Sequence, residues 1–204
     1  MAPPQSRSGN EPASAASAAK IALRDQIRTS RHRRPLVEVV QAAHDLATVV
    51  MDRPEIRRAA TVAAYVSIGS EPGTGVLLDA LDAAGKRVIL PVVQPDLDLD
   101  WGTWRGPTAL VPARMGLLEP ADRLGLDAVA TADVVIVPGQ AVSLSGNRLG
   151  QGGGCYDRAL GRVPVGTPVV VCLYDDEVGR DVPVDDHDRP VTAAVTPTRW
   201  IPLR

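Results

Sequence analysis

Four short stretches carry apolar side chains at successive rather than alternate positions: residues 61–68 (TVAAYVSI), 86–93 (KRVILPVV), 133–137 (DVVIV) and 167–173 (TPVVVCL). A strand with one wet face alternates apolar and polar residues, whereas a strand apolar on both faces must be covered on both. Segments with helical spacing lie between these runs. Residues 18–52 repeat apolar positions three to four apart, including Ile21, Leu23, Ile27, Val39, Ala43 and Leu46. Pro35 divides that stretch into two helices, because proline suits a first turn and disrupts an interior. A further helix over 75–84 is stopped by Gly85, another covers 155–161, and 191–195 reads as a last short strand. Strand and helix in alternation predict a three-layer α/β/α fold around a central, mostly parallel sheet, Rossmann-like in class. Residues 94–120 show no clear period and read as loop with short β pieces, with Trp101 and Trp104 inside it. Residues 1–17 mix Pro, Ser, Gly and Ala without periodicity and read as a disordered leader, leaving 18–204 as a single domain.

Composition narrows the function. The chain has 204 residues, enough for one domain with a substantial core, yet aromatic residues are only 3% and Phe is absent. Val, Leu, Ile and Ala must therefore fill the interior. A net charge of −2 argues against a protein whose main partner is nucleic acid. No apolar run approaches the ~20 residues of a membrane span, and the amino terminus lacks the order of a secretory signal. Cys155 and Cys172 are too few for a disulfide framework or a four-ligand zinc site and read as small buried hydrophobes. The expectation is a soluble, cytoplasmic monomer that binds neither nucleic acid nor membrane.

The most informative segment is residues 138–160, PGQAVSLSGNRLGQGGGCYDRAL. It follows a buried strand, holds Gly146, Gly150, Gly152, Gly153 and Gly154, and runs into a helix. In α/β sheets ligands sit beyond the carboxyl ends of strands. Successive glycines let backbone N–H groups approach an anion, and Arg148 adds a bidentate donor for phosphate. No Gly-Lys-Ser/Thr closes the loop as in a Walker motif, and Cys155 stands where the dinucleotide fingerprint needs glycine. Anion binding and a plain surface loop both remain open on these residues alone, as does a sugar-phosphate isomerase using the loop for a substrate phosphate. Lys20 and Arg24, four residues apart, share one helix face.

At this segment the chain resembles the 5-formyltetrahydrofolate cyclo-ligase, or methenyltetrahydrofolate synthetase, family. Its glycine hallmark is similar to PGQAVSLSGNRLGQGGGCYD, and three other segments match in order: AAKIALRDQI at 18–27, SIGSEPGT at 67–74 and VPVDDHDRPVTAAVTP at 182–197. The resemblance implies ATP-dependent conversion of 5-formyltetrahydrofolate to 5,10-methenyltetrahydrofolate, with release of ADP and phosphate and with Mg²⁺ present. The formyl oxygen would be phosphorylated and the anilino nitrogen would then close the ring. It further implies ATP contacts from Lys20, Arg24, Arg148, Gly150, Gly152, Gly153, Gly154 and Tyr156, with Arg148 also catalytic. Glu71, Val66 and Tyr156 would bind the reduced folate, and Asp157 and Asp188 the magnesium. Thr74 reads as a helix cap or a support to that site. His187 is a weaker candidate for proton transfer, while His32 and His44 fall on helix faces. Two positions depart from the family pattern: Val142-Ser143 replaces Phe-Asp, and Cys155 replaces a tyrosine. They leave open an alternative, a degenerate member that binds folate or nucleotide without turnover.

Overall fold

The consecutive apolar runs do become the interior of a sheet with both faces covered. A computed structural model describes residues 15–185 and 188–204. In chain order the elements are α1 (Ala15–His32), α2 (Leu36–Met51), α3 (Pro54–Arg58), β1 (Thr61–Ala63), α4 (Gly75–Ala83), β2 (Arg87–Val93) and β3 (Leu99–Thr103). There follow β4 (Leu110–Pro112), β5 (Leu118–Pro120), β6 (Val134–Pro138), β7 (Ala141–Val142), β8 (Arg148–Leu149), α5 (Cys155–Leu160), β9 (Val169–Cys172), β10 (Ala193–Val195) and β11 (Trp200–Pro202). The main sheet has the order β11-β10-β9-β6-β1-β2-β3. Its five inner strands pair in parallel, and β3 and β11 close the two edges antiparallel.

Successive side chains leave an inner strand on opposite faces, and here consecutive positions are buried because both faces are covered. Val62, Val88, Leu90, Val134, Ile136 and Val170 pack on one face with Leu46, Ile56, Leu77 and Leu81 of α2, α3 and α4. Ala63, Ile89, Val135, Val137 and Val171 face the other way, against Val129 and the Ala159 and Leu160 of α5. Each fully buried Val, Leu or Ile among them contributes roughly 1.5–3 kcal/mol. Two cores with helices outside them make three layers, as expected.

The helix stops are also as read. Gly85 takes φ +72° after α4, and the N–H groups of Gly85 and Lys86 return to the carbonyls of Asp82 and Leu81, which satisfies the helix end. Pro35 separates α1 from α2. His32 and His44 are exposed on their helices. No described helix is long and apolar enough to cross a membrane.

Three expectations need correction. Residues 15–17, placed in the leader, belong to α1; residues 1–14 lie outside the described residues. The run 61–68 pairs only through β1, after which the chain leaves the sheet and forms a wall of the cleft described below. The stretch 94–120 does hold short β pieces, and one of them belongs to the main sheet: β3 pairs antiparallel with β2 from Ile89↔Thr103 to Val93↔Leu99. Leu99 and Trp101 alternate with Asp100 across that strand, and Trp101 is 1% exposed. Finally, α1 does not pack by an apolar stripe. Ile21 is 52% exposed, while Lys20, Ile27 and Arg31 are buried, so the inward face of this helix is largely cationic.

Candidate active site

The order in which strands are added reverses between the parallel neighbours β1 and β6: β2 and β3 build outward on one side, and β9, β10 and β11 on the other. Such a switch point opens a crevice beyond the carboxyl ends of the strands. Here Tyr65 and Val66 follow β1, Pro138 and Gly139 close β6, and a cavity of about 940 Å³ opens above them.

The glycine segment is folded before it reaches the cleft. β7 and β8 form a small hairpin, Ala141↔Leu149 and Val142↔Arg148, which delivers Arg148 inward. Its turn contains Gly146 at φ +84°, where a Cβ would meet the Val191 carbonyl oxygen at 2.5 Å. Residues 150–154 then line the cavity up to α5, with Gly152 at φ +105° and Gly154 at φ +67°. Only glycine adopts such angles without strain. Gly150 serves a different need: a Cβ there would lie 2.7 Å from an Arg148 guanidinium nitrogen.

Arg148 is 6% exposed. Its guanidinium donates to Asp157 Oδ1 at 3.1 Å and to the Pro138 carbonyl at 3.2 Å, and lies 5.8 Å from the Tyr156 ring centroid. Asp157 Oδ1 also accepts the Arg189 N–H at 3.2 Å, which ties the 182–197 segment to α5. The Arg148 Nε, also buried, has no hydrogen-bond partner among the described residues.

α1 crosses this loop with its cationic face. Arg24 Nε donates to the Gly150 carbonyl at 2.9 Å and Arg28 to Gln151 Oε1 at 3.1 Å. Lys20 Nζ donates to Asp185 Oδ2 at 2.7 Å and to Asp188 Oδ2 at 2.5 Å. Burial opposes the ammonium charge, but the hydrogen bonds and charges of the two aspartates outweigh it and hold Lys20 above its ordinary range. At the far end Arg31 makes a two-pronged pair with Glu177, at 2.7 and 2.8 Å, and donates to the Gly139 carbonyl at 2.7 Å. That buried clamp fixes α1 on the carboxyl end of β6.

Glu71 lies on the opposite wall, 6% exposed. The Ile68 N–H donates to its Oε2 at 3.0 Å and the Gln151 amide to its Oε1 at 3.2 Å. Burial pushes its carboxyl above the usual range, outweighing those two donors and the nearby Arg31 charge. Thr74 opens α4 but makes no side-chain cap; its hydroxyl donates to the Tyr65 carbonyl at 2.7 Å and accepts the Ser67 N–H at 2.9 Å. It therefore shapes the 65–74 turn that carries Glu71.

Every residue the sequence singled out for this site lines the one cavity: Lys20, Arg24, Val66, Glu71, Arg148, Gly150, Gly152, Gly153, Gly154, Tyr156, Asp157 and Asp188. His187 lies outside the described residues. Among the described residues no group of three His, Cys, Asp or Glu could hold a metal by itself. The two departures separate cleanly. The Ser143 hydroxyl accepts the Asn147 N–H at 3.0 Å within the hairpin turn, and Ser143 is not a lining residue. Cys155 does line the cavity and is only half-buried, so its reading as a buried hydrophobe holds for Cys172 alone. Sequence reasoning missed Arg31, Glu177, Gln151 and Asp185. Arg31 was within reach, since 20, 24, 27 and 31 form one helical stripe. The others depend on contacts between distant segments.

The family model described as "5-formyltetrahydrofolate cyclo-ligase family" matches residues 16–197. A 5-formyltetrahydrofolate cyclo-ligase of Mycolicibacterium smegmatis is 44% identical over 147 residues, which cover 69% of this chain and 75% of the relative. One from Escherichia coli K12 is 36% identical over 157 residues, covering 75% and 86%. Among solved structures, the Aquifex aeolicus 5,10-methenyltetrahydrofolate synthetase superposes with a TM-score of 0.78 at 29% identity, covering 91% of this chain and 93% of that one.

Proposed function

This chain belongs to the 5-formyltetrahydrofolate cyclo-ligase family, and on that premise we propose that its cleft converts 5-formyltetrahydrofolate to 5,10-methenyltetrahydrofolate at the expense of ATP. The observation that carries the reading is the convergence of four separated segments, with their cations, glycine amides and one buried carboxylate, on a single cavity of about 940 Å³.

The chemistry follows from the substrate. A formyl oxygen is a poor leaving group. Its attack on the γ-phosphorus forms an O–P bond as the bond to ADP breaks. The anilino nitrogen then adds to the activated carbon and loses its proton. Cleavage of the carbon–oxygen bond expels phosphate and leaves the cyclic amidinium product. Catalysis of such a transfer is mainly positioning and neutralisation of charge. In this reading the backbone of 150–154 cradles the triphosphate. Lys20, Arg24 and Arg148 neutralise it, with Arg148 aimed where charge builds during transfer. Tyr156 and Val66 flank the folate, and Glu71 accepts its pterin N–H groups.

The carboxylates of Asp157 and Asp188 fit a divalent ion by donor type, since magnesium is commonly held by one or two carboxylates together with phosphates and water. When bound, magnesium would neutralise phosphate charge next to Arg148. The protein is taken as a cytoplasmic monomer acting on small molecules. Ser143 lies outside the cleft, so the missing aspartate there does not remove a lining group from this chain.

The reading is tested by turnover. Pure protein with ATP, Mg²⁺ and 5-formyltetrahydrofolate should build the near-ultraviolet absorbance of the methenyl product, and none without ATP. Folded protein that binds ATP and makes no product would overturn it.

Glu71 gives this site a pH signature. Burial raises its carboxyl, Glu177 adds to the rise, and Arg31, Gln151 and the Ile68 N–H oppose it. A pterin N–H needs the ionised form. Affinity for 5-formyltetrahydrofolate is therefore expected to fall as pH drops through that raised value, beginning at a higher pH than an ordinary glutamate near 4.3 would impose. Glu71→Gln should weaken binding about 10–100-fold at neutral pH, the worth of a hydrogen bond to a charged group, and flatten the profile. Calorimetric titration across pH measures both.

A further inference from the structure

Gln151 is the one side chain that reaches from the glycine loop to the carboxylate on the opposite wall. Its amide nitrogen donates to Glu71 Oε1 at 3.2 Å, while its oxygen accepts from Arg28 at 3.1 Å and from Gln140 Nε2 at 2.7 Å. The orientation of the amide is dictated by its neighbours. Arg28 can only donate and an ionised Glu71 can only accept, so the oxygen must face α1 and the nitrogen must face Glu71. Gln140, which holds the oxygen, is 1% exposed and sits directly after Gly139, so the anchor is rigid. The backbone on the other side is held as well, because the Gly150 carbonyl accepts from Arg24. Among the described residues Glu71 has no other side-chain hydrogen-bond donor; its second donor is the Ile68 N–H of its own turn.

We propose that Gln151 is a positioning residue that couples the two halves of the cleft: nucleotide held by the glycine loop fixes Gln151 against Glu71 and thereby tightens binding of the reduced folate. This rests on the assignment of phosphate to the loop and of the pterin to Glu71. The physical link is short. Ordering of residues 150–152 around a triphosphate restricts the Gln151 backbone, and the side chain then holds the Glu71 carboxylate in one orientation with one N–H already bonded. The reduced folate meets a prearranged acceptor and loses less freedom in binding it. By linkage the folate must tighten nucleotide binding by the same factor.

The experiment is calorimetric titration of the full chain with 5-formyltetrahydrofolate, with and without a methylene-bridged, non-hydrolysable ATP analogue. The ratio of the two dissociation constants is the coupling factor. In the unaltered protein it is expected to be about fivefold or more, the lower range of coupling between sites. Two replacements are then compared. Gln151→Ala removes the bridge. Gln151→Glu keeps its size and its contact with Arg28 but presents no N–H to Glu71. Both should bring the factor close to one, with thermal unfolding and analogue binding confirming that each variant is folded. A factor of one in the unaltered protein, or an undiminished factor in Gln151→Glu, overturns the proposal. Failure of the folded, unaltered protein to bind 5-formyltetrahydrofolate at all would instead overturn the assignment of the folate site beneath it.

Discussion

Arg148→Ala is expected to lower turnover by about two to three orders of magnitude, the loss seen when one preorganised donor to developing charge is removed. The guanidinium is 6% exposed, is carried in by a two-stranded hairpin, and is braced by Asp157 and the Pro138 carbonyl. Gly150 leaves room for it. A group held this firmly spends little reorganisation as phosphoryl transfer proceeds. Arg148→Lys should recover little of the loss, because an ammonium is a point charge and cannot occupy both contacts of a planar fork. The deciding measurement is kcat alongside the nucleotide dissociation constant. A fall confined to nucleotide affinity, with kcat retained, would assign Arg148 to binding alone.

The largest effect on stability is expected from Arg31→Ala. The Glu177 side chain is 0% exposed and faces Arg31 at 2.7 Å. Removing one partner of a buried pair leaves an uncompensated charge and costs about 3–5 kcal/mol. The pH dependence of that loss has a definite sign. Burial already holds the Glu177 carboxyl above its ordinary range, against the lowering by Arg31. Without Arg31 it rises further, so the ionised form is disfavoured in the folded chain while the unfolded chain ionises freely above about pH 4.3. The destabilisation is therefore greatest near neutrality and shrinks as pH falls and Glu177 protonates. Denaturant unfolding at neutral and acid pH reads it directly. Equal losses at both would mean that the pair is not electrostatically isolated. The effect extends to function through α1: Arg31 and the Gly139 carbonyl pin the helix that presents Lys20 and Arg24 to the loop.

Much of this was legible in the chain because it rests on short-range rules. Consecutive Val and Ile specify strands covered on both faces, and Pro35 and Gly85 punctuate the helices where they should. The glycines at 146, 152 and 154 mark backbone that only glycine adopts readily, which is why the loop could be located before its partners were known. What escaped depends on distance along the chain. β3 was hidden because Leu99-Asp100-Trp101 alternates for only three residues between loops, and its partner strand supplies the rest of its stability. α1 was expected to bury Ile21, yet its inward stripe is charged because the surface it meets is made of Asp185, Asp188, Glu177 and the loop carbonyls. Gln151 carries no local signal at all. Its neighbours Glu71 and Arg28 are 80 and 123 residues away in sequence, and only the switch point between β1 and β6 brings them together.

The central claim is that the formyl oxygen is the group phosphorylated in this cleft. The turnover reaction run with ¹⁸O in the formyl group, followed by mass analysis of the released phosphate, tests it at the atom concerned. The expected result is one ¹⁸O in each phosphate formed, with ADP and methenyl product in equal amounts. Methenyl product accompanied by unlabelled phosphate, with the ¹⁸O recovered in water, would contradict it.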